Sequence, residues 1–163
     1  MAPREPLFHV LLICSGNTCR SPLAAAVFRA ELGADAERVE IRSAGISALE
    51  DQPASAGARE AAMRFGLDLS VHRSRRASGN DVRRADLILV MEREHARAAE
   101  ALGAEPGRVH LLSEWPEPGE PGSAVSDPFG GSSEAYEECL RRIRHHVRRI
   151  VPHVREALRA RSA

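Results

Sequence analysis

The chain of 163 residues is long enough to bury the core of one domain. It is 43% hydrophobic and carries 23 basic and 23 acidic residues, a balance typical of a globular protein without bulk attraction to nucleic acid or anionic membranes. No apolar run approaches the roughly 20 residues of a membrane span, and three cysteines are too few for a disulfide-stapled scaffold, which favours a reducing cytoplasm.

Apolar runs alternate with helix-like periodicity along the chain, which predicts an α/β fold with a mostly parallel sheet. Strands are predicted at 8–13, 39–42, 86–91 and 108–112. Helices are predicted from Pro22 to a stop at Gly33, over 56–65, after a cap at Asn80 or Asp81, over 94–102, and from a cap at Ser133 towards residue 160 with a kink at Pro152. The segment 113–133 is predicted to be a long loop, and loops of this length in a compact domain are usually functional or disordered.

The stretch CSGNTCRSP, residues 14–22, lies between the first predicted strand and the first predicted helix. Ligands of open α/β sheets bind outside the carboxyl ends of the strands, and a curled loop before a helix offers backbone N–H groups to an anion. Gly16 and Asn17 permit the tight bend, and Arg20 offers a fork for two phosphate oxygens. The residues expected to surround the phosphate are Ser15, Gly16, Asn17, Thr18, Cys19 and Arg20.

Cys14 is the expected nucleophile of this loop. A helix N-terminus and a guanidinium lower the pKa of a nearby thiol, so we expect a thiolate that attacks phosphorus, with Ser21 donating a hydrogen bond to it. The pattern C-x5-R is by itself weak, and its setting between strand and helix gives it weight. A zinc site at Cys14 and Cys19 would need two further ligands that Cys139 and His72 do not offer in a paired spacing, so no metal is expected.

The long loop supplies a candidate general acid in the sequence SDPFGGS. Asp127 precedes a proline and follows the fourth predicted strand, which places it at the same sheet edge as the cysteine loop. Phe129 is a candidate wall for the substrate. A simple turn and helix cap is the alternative reading of this segment, and Asp51, Asp81 and Asp86 have less support as acids.

The motifs VLLICSGNTCRSPLAAAVF, IRSAG, HRSRR, ADLILVM and DPFGGSSEAYEECL, in this order, resemble the low-molecular-weight protein tyrosine phosphatase family. The resemblance implies one domain over 1–163 with its core at 7–160, a four-stranded parallel sheet with helices on both faces, a cysteinyl-phosphate intermediate and no cofactor. By position, it implies that Cys14 is the nucleophile, Arg20 the phosphate clamp and Asp127 the acid. The residues that it implies as supports of the loop are Asn17, Ser21, Ser43 and His72, and it implies Cys19 as a redox guard of the nucleophile.

The resemblance leaves the substrate open between phosphoarginine and phosphotyrosine on proteins. Typical tyrosine phosphatases of the family have Ile or Val where Thr18 stands, and the pair CSGNTCRSP and DPFGGS resembles the bacterial protein-arginine phosphatases. Thr18 and Phe129 are therefore the expected selectivity residues, although Thr18 is also explained by drift at a tolerant position. A non-catalytic phosphoprotein-binding adaptor is the remaining alternative, which the intact set of Cys14, Arg20 and Asp127 opposes.

The last predicted helix is strongly basic, which raises the question of a nucleic-acid partner. Its apolar residues repeat every three or four positions, so a docked amphipathic helix with a solvated arginine face is the favoured interpretation. His145 and His146 are expected on its surface. We expect phosphorylated proteins as partners, no nucleic acid or membrane, and a monomer.

Overall fold

The computed structural model describes residues 6–162 and contains one four-stranded parallel sheet. Its strands are β1 (Phe8–Cys14), β2 (Val39–Gly45), β3 (Leu87–Val90) and β4 (Val109–Leu111), in the spatial order β2-β1-β3-β4. All neighbouring strands run parallel, which confirms the predicted fold class. The predicted core 7–160 lies within the described residues, whereas 1–5 and 163 of the predicted domain lie outside them.

The strand order reverses between β1 and β3. The chain moves to one side of β1 to form β2 and then crosses to the other side to form β3. Cys14 is level with Gly45 at the end of β2, and Ile13 is level with Val90 at the end of β3. Because ligands of open α/β sheets bind in the crevice at such a reversal, Cys14 lies at the expected binding position of the sheet.

Within the described residues, five α-helices surround the sheet: α1 (Arg20–Leu32), α2 (Ala56–Arg64), α3 (Gly79–Arg84), α4 (Arg93–Ala101) and α5 (Ser133–Ser162). Successive side chains of a strand point to opposite faces. Val10 and Leu12 belong to a core that contains buried residues of α1, α2 and α5, and Leu11 and Ile13 belong to one that contains residues of α3 and α4. Helices therefore cover both faces, as predicted.

The cap of α3 corrects a prediction. Ser78, and not Asn80 or Asp81, is the N-cap, since its hydroxyl accepts a hydrogen bond from the Asp81 N–H at 3.2 Å. The Asp81 carboxylate accepts in return from the Ser78 N–H at 2.9 Å, which completes a capping box. A capping oxygen reaches the N–H group three residues ahead, so the cap lies one position before the helix and Asp81 belongs to its first turn.

The start of α5 follows the same rule. Ser133, the predicted cap, is the first helical residue, and the hydroxyl of Ser132 accepts from the N–H of Ala135 at 3.2 Å. The helix then runs to Ser162 with Pro152 inside it. Within residues 6–162, no helix has both the length and the apolar character needed to cross a membrane.

α5 also anchors the long loop that precedes it. The prediction that both adjacent histidines of α5 face solvent is wrong for His146, which is fully buried. Its Nε2–H donates to the carbonyl of Ser123 at 2.7 Å, and the Arg142 guanidinium donates to two carbonyls within 122–124 at 2.7 and 2.9 Å. These bonds satisfy loop carbonyls that have no strand partner, and they fix the backbone just ahead of Asp127.

Candidate active site

Asn17 organises the loop after β1. It is fully buried and has a φ of 56°, a left-handed conformation that asparagine tolerates better than most residues. Its side-chain amide donates to the hydroxyls of Ser21 at 2.8 Å and Ser43 at 3.0 Å, and its Oδ1 accepts from the Arg75 N–H at 2.9 Å. The Nε2–H of His72 donates to the Asn17 carbonyl at 2.7 Å. The four residues predicted as loop supports therefore form one hydrogen-bonded network.

The sulfur of Cys14 receives two hydrogen bonds from this network. The Ser21 hydroxyl already accepts from Asn17, so its proton is directed to the Cys14 Sγ, 2.9 Å away. The backbone N–H of Asn17 donates to the same sulfur at 3.3 Å. Both donors stabilise negative charge on sulfur, which suits a nucleophile and later a leaving group.

Burial raises the pKa of the Cys14 thiol above its usual value, which reverses the direction expected from the sequence. The hydrogen bonds from Ser21 and Asn17 and the charge of Arg20 act to lower the pKa of Cys14, and burial outweighs them. The Arg20 guanidinium is ion-paired with Glu92, which weakens its effect on the sulfur. Formation of the thiolate therefore depends on the donors next to the sulfur.

Replacing Ser21 with alanine is expected to raise the pH at which Cys14 deprotonates by about one to two units. The substitution removes a hydrogen bond to a charged atom, and such a bond contributes about 1.5–3 kcal/mol. The measurement is the rate of iodoacetamide alkylation of Cys14 as a function of pH, read by peptide mass. Ser133→Ala, at an exposed position of α5, is the control. An unchanged pH midpoint of alkylation in Ser21→Ala would show that the Ser21 hydroxyl does not stabilise the thiolate.

Arg20 is held in place from several directions. Its side chain is 2% exposed, and its Nη1 donates to the Glu92 carboxylate at 2.6 Å and to the Val125 carbonyl at 3.1 Å. Its Nη2 lies 3.8 Å from the Asp127 carboxylate. The hydrogen bond from Arg20 lowers the pKa of Glu92, so this carboxylate stays ionised as the arginine's partner. The guanidinium is thus oriented before any substrate binds.

Glu92 and His95, which the sequence reasoning missed, support the loop from the end of β3. The Glu92 N–H donates to Nδ1 of the buried His95 at 3.1 Å, so the ring proton is on Nε2 and is donated to the Ser15 hydroxyl at 2.9 Å. Burial and the charge of Arg20 lower the pKa of His95, which favours this neutral form. The sequence signal for these residues was their position shortly after the third predicted strand, whose carboxyl end lies at the edge of the sheet where ligands bind.

Gly45 at the end of β2 lets the loop pack closely against the sheet. A Cβ at this position would lie 2.5 Å from the carbonyl oxygen of Ser15 and 3.0 Å from the nitrogen of Asn17. No side chain fits there without displacing the backbone of the loop. The glycine of the IRSAG motif is therefore required by the site.

A cavity of about 560 Å³ opens above the loop. Its loop residues are Cys14, Ser15, Gly16, Thr18, Cys19 and Arg20. Asp127 and Phe129 line it from the long loop, and Leu49 lines it from the segment after β2. Phe129 and Leu49 are 70% and 75% exposed, so the entrance has two apolar side chains free to contact a substrate. Asn17, Ser21, Ser43 and His72 do not line the cavity and support it from outside.

The state of the cysteines bears on the predicted role of Cys19 as a redox guard. All three cysteines are free thiols, so a reversible disulfide bond between Cys19 and Cys14 stays a prediction. The Cys19 sulfur lies 3.1 Å from the Ser55 hydroxyl.

Within the described part of the chain, one group of possible metal ligands comes together: Glu92, Glu94 and His95. Glu92 is paired with Arg20, and both ring nitrogens of His95 are hydrogen-bonded, so these atoms are already occupied.

The geometry suits a tetrahedral oxyanion bound between a thiol and a buried arginine, with a carboxylate across the cavity. On a parallel α/β sheet with this loop after the first strand, such an arrangement is typical of phosphatases that act through a cysteine. The chain belongs to the low molecular weight phosphotyrosine protein phosphatase family, whose model matches residues 9–161. It is therefore a phosphatase.

Relatives with two different names resemble the chain. A probable low molecular weight protein-tyrosine-phosphatase, EpsP of Ralstonia nicotianae, is 37% identical over 90% of this chain and 95% of its own. The protein-arginine-phosphatase of Bacillus subtilis is 31% identical over 90% of this chain and 97% of its own. A structure of the YwlE arginine phosphatase, a mutant with a phosphorylated active-site serine, matches with a TM-score of 0.81 and 29% identity, over 91% and 96% of the two chains.

Proposed function

We propose that the chain dephosphorylates phosphoarginine on proteins through a cysteinyl-phosphate intermediate. The observation that carries the choice of substrate is Thr18, a residue of the phosphate loop that places a polar side chain in the wall of the cavity. A guanidine group favours hydrogen-bond acceptors around it, and the Thr18 hydroxyl and a carboxyl oxygen of Asp127 offer them. The relative named as a protein-arginine-phosphatase supports the same choice.

In the first proposed step, the Cys14 thiolate attacks phosphorus while Arg20 holds two phosphate oxygens. The phosphorus–nitrogen bond breaks, its electron pair goes to nitrogen, and Asp127 supplies the proton that makes the guanidine a leaving group. In the second step, Asp127 removes a proton from water, the water oxygen attacks phosphorus, and the sulfur–phosphorus bond breaks. Ser21 and the backbone of Asn17 stabilise the departing thiolate.

Phosphotyrosine is the second candidate, and specific observations favour it. A phenol ring gains from flat apolar walls, and Leu49 and Phe129 offer exposed apolar surface at the cavity. The relative at 37% identity carries the name of a tyrosine phosphatase. The phosphate clamp serves both substrates equally, so the choice rests on the cavity walls. For either substrate, a reducing compartment such as the cytoplasm is the proposed setting, since Cys14 has to stay a thiol.

Comparing kcat/KM on a phosphoarginine protein and a phosphotyrosine peptide tests the choice. The wild type is expected to prefer phosphoarginine, and Thr18→Ile is expected to shift the ratio about tenfold towards phosphotyrosine, since an unpaired polar group in the bound state costs about 1–3 kcal/mol. Thr18→Ser keeps the hydroxyl and is expected to keep the preference. A strong preference of the wild type for phosphotyrosine, unchanged in Thr18→Ile, would refute the proposal.

A further inference from the structure

The cavity extends beyond the phosphate loop. Its volume of about 560 Å³ lies within the range of about 300–1,000 Å³ in which pockets enclose whole small ligands, so it has room for more than a phosphoryl group. The loop forms its base, and the segment 52–56 together with Arg59 forms one of its sides. This side consists of the segment that leads into α2 and of the first turn of that helix, and none of the catalytic roles proposed above involves it.

The start of α2 is fixed to the phosphate loop by hydrogen bonds. The Ser55 N–H donates to the Thr18 carbonyl at 2.9 Å, and the Ser55 hydroxyl lies 3.1 Å from the Cys19 sulfur. The Ser55 side chain also accepts from the Ala58 N–H as the cap of the helix. Arg59 lies one turn further along, with its N–H donating to the Ser55 carbonyl at 3.0 Å. The backbone of Arg59 therefore has a defined position relative to the phosphate loop.

Arg59 is a free cation at this side of the cavity. The charged residues that line the cavity are Arg20, Arg59 and Asp127, and Arg20 is already ion-paired. Arg59 is exposed, and within residues 6–162 its guanidinium has neither a salt bridge nor a hydrogen bond. Arg64 on the same helix differs, because it is paired with Glu137 on α5. The guanidinium of Arg59 is thus available to a ligand in the cavity.

We propose that Arg59 forms a second anion subsite, which binds a carboxylate side chain of the protein substrate close to the phosphorylated residue. The inference rests on the proposed protein phosphatase function. Arg59 lies one helical turn, about 5.4 Å, beyond Ser55, the residue that is hydrogen-bonded to the phosphate loop. An extended substrate advances about 3.3–3.6 Å per residue. The acidic residue therefore lies about one to three positions from the phosphorylated one, on the side of the substrate that faces α2.

The test compares peptides that differ in one residue near the phosphorylated side chain. Series with Glu, Gln or Lys at each of the three positions on either side are made once with phosphoarginine and once with phosphotyrosine, and kcat/KM is measured for the wild type and Arg59→Glu. At one of these positions, kcat/KM of the wild type is expected to be about three- to tenfold higher with Glu than with Lys. This preference is expected to become smaller at high salt. Arg59→Glu is expected to reverse the order, and Arg59→Gln to abolish it.

Arg97→Glu supplies the matched control, because Arg97 is exposed on α4 and lines a different surface pocket. It is expected to keep the wild-type order of peptides, and 4-nitrophenyl phosphate turnover registers any general loss of activity. Equal rates on all peptides, or an order unchanged by Arg59→Glu, would overturn the subsite and leave the phosphatase function standing. Turnover of the aryl phosphate without turnover of any phosphopeptide would overturn the protein phosphatase function and the subsite with it.

Discussion

Cys14→Ser is expected to end turnover while the phosphate site stays formed. Serine occupies less volume than cysteine and keeps a hydrogen-bonding atom for Ser21 and Asn17, which contact the Cys14 sulfur at 2.9 and 3.3 Å. Its hydroxyl has no general base beside it and is a far weaker nucleophile than a thiolate. We expect kcat for an aryl phosphate to fall by at least about four orders of magnitude, as when other covalent enzymes lose their nucleophile.

Binding of inorganic phosphate separates loss of the nucleophile from loss of the fold. Cys14→Ser is expected to bind phosphate within a few-fold of the wild type, because Arg20 and the loop backbone remain in place. Cys139→Ala is the matched control, since Cys139 is also a buried thiol but lies on α5, where burial raises its pKa to about 12. The Cys139→Ala variant is expected to keep the wild-type activity. Residual turnover in Cys14→Ser close to that of the wild type would refute the covalent mechanism.

Asp127→Asn is expected to lower kcat/KM by about 10²- to 10⁴-fold on substrates whose leaving group requires a proton, the usual contribution of a general acid. Asp127 is half exposed on the cavity wall, and its Oδ1 accepts from the Phe129 N–H at 3.1 Å, which asparagine can reproduce. The loss should therefore come from the missing proton and not from a displaced loop. Rates measured over a series of aryl phosphates check this.

The way the loss of rate in Asp127→Asn depends on the leaving group distinguishes a general acid from a binding residue. In kcat/KM, which covers only the step that expels the leaving group, Asp127→Asn should lose little on 4-nitrophenyl phosphate, whose leaving group departs as a stable anion, and much on phenyl phosphate. Asp51→Asn is the control, because Asp51 is exposed and has a φ of 61° that asparagine also adopts. An equal loss of kcat/KM on every leaving group in Asp127→Asn would assign Asp127 a role in binding and remove it as the acid.

Much of the architecture was predictable because it depends on local patterns. Apolar runs, continuous only in the segments of β1 and β3, predicted all four strands, and periodic runs with glycine stops or caps predicted the helices, with ends shifted by a few residues. β2 continues to Gly45, beyond its predicted end at residue 42, because its last residues pair with the end of β1. The ends of elements depend on such partners and on caps such as Ser78 and Ser132, whose neighbours offer several equivalent side chains to a sequence-based prediction.

The sequence by itself determined the order of the elements and the residue types of the loop at Cys14, because nucleophile, bend and arginine lie within seven consecutive positions. Only the tertiary structure brought Glu92 and His95 beneath that loop, since they are more than 70 residues away and arrive through the parallel pairing of β1 with β3. It also decided the burial of Cys14 and His146. Burial and long-range hydrogen bonds depend on which faces pack together, and so they set the pKa of Cys14 and the position of the Asp127 loop.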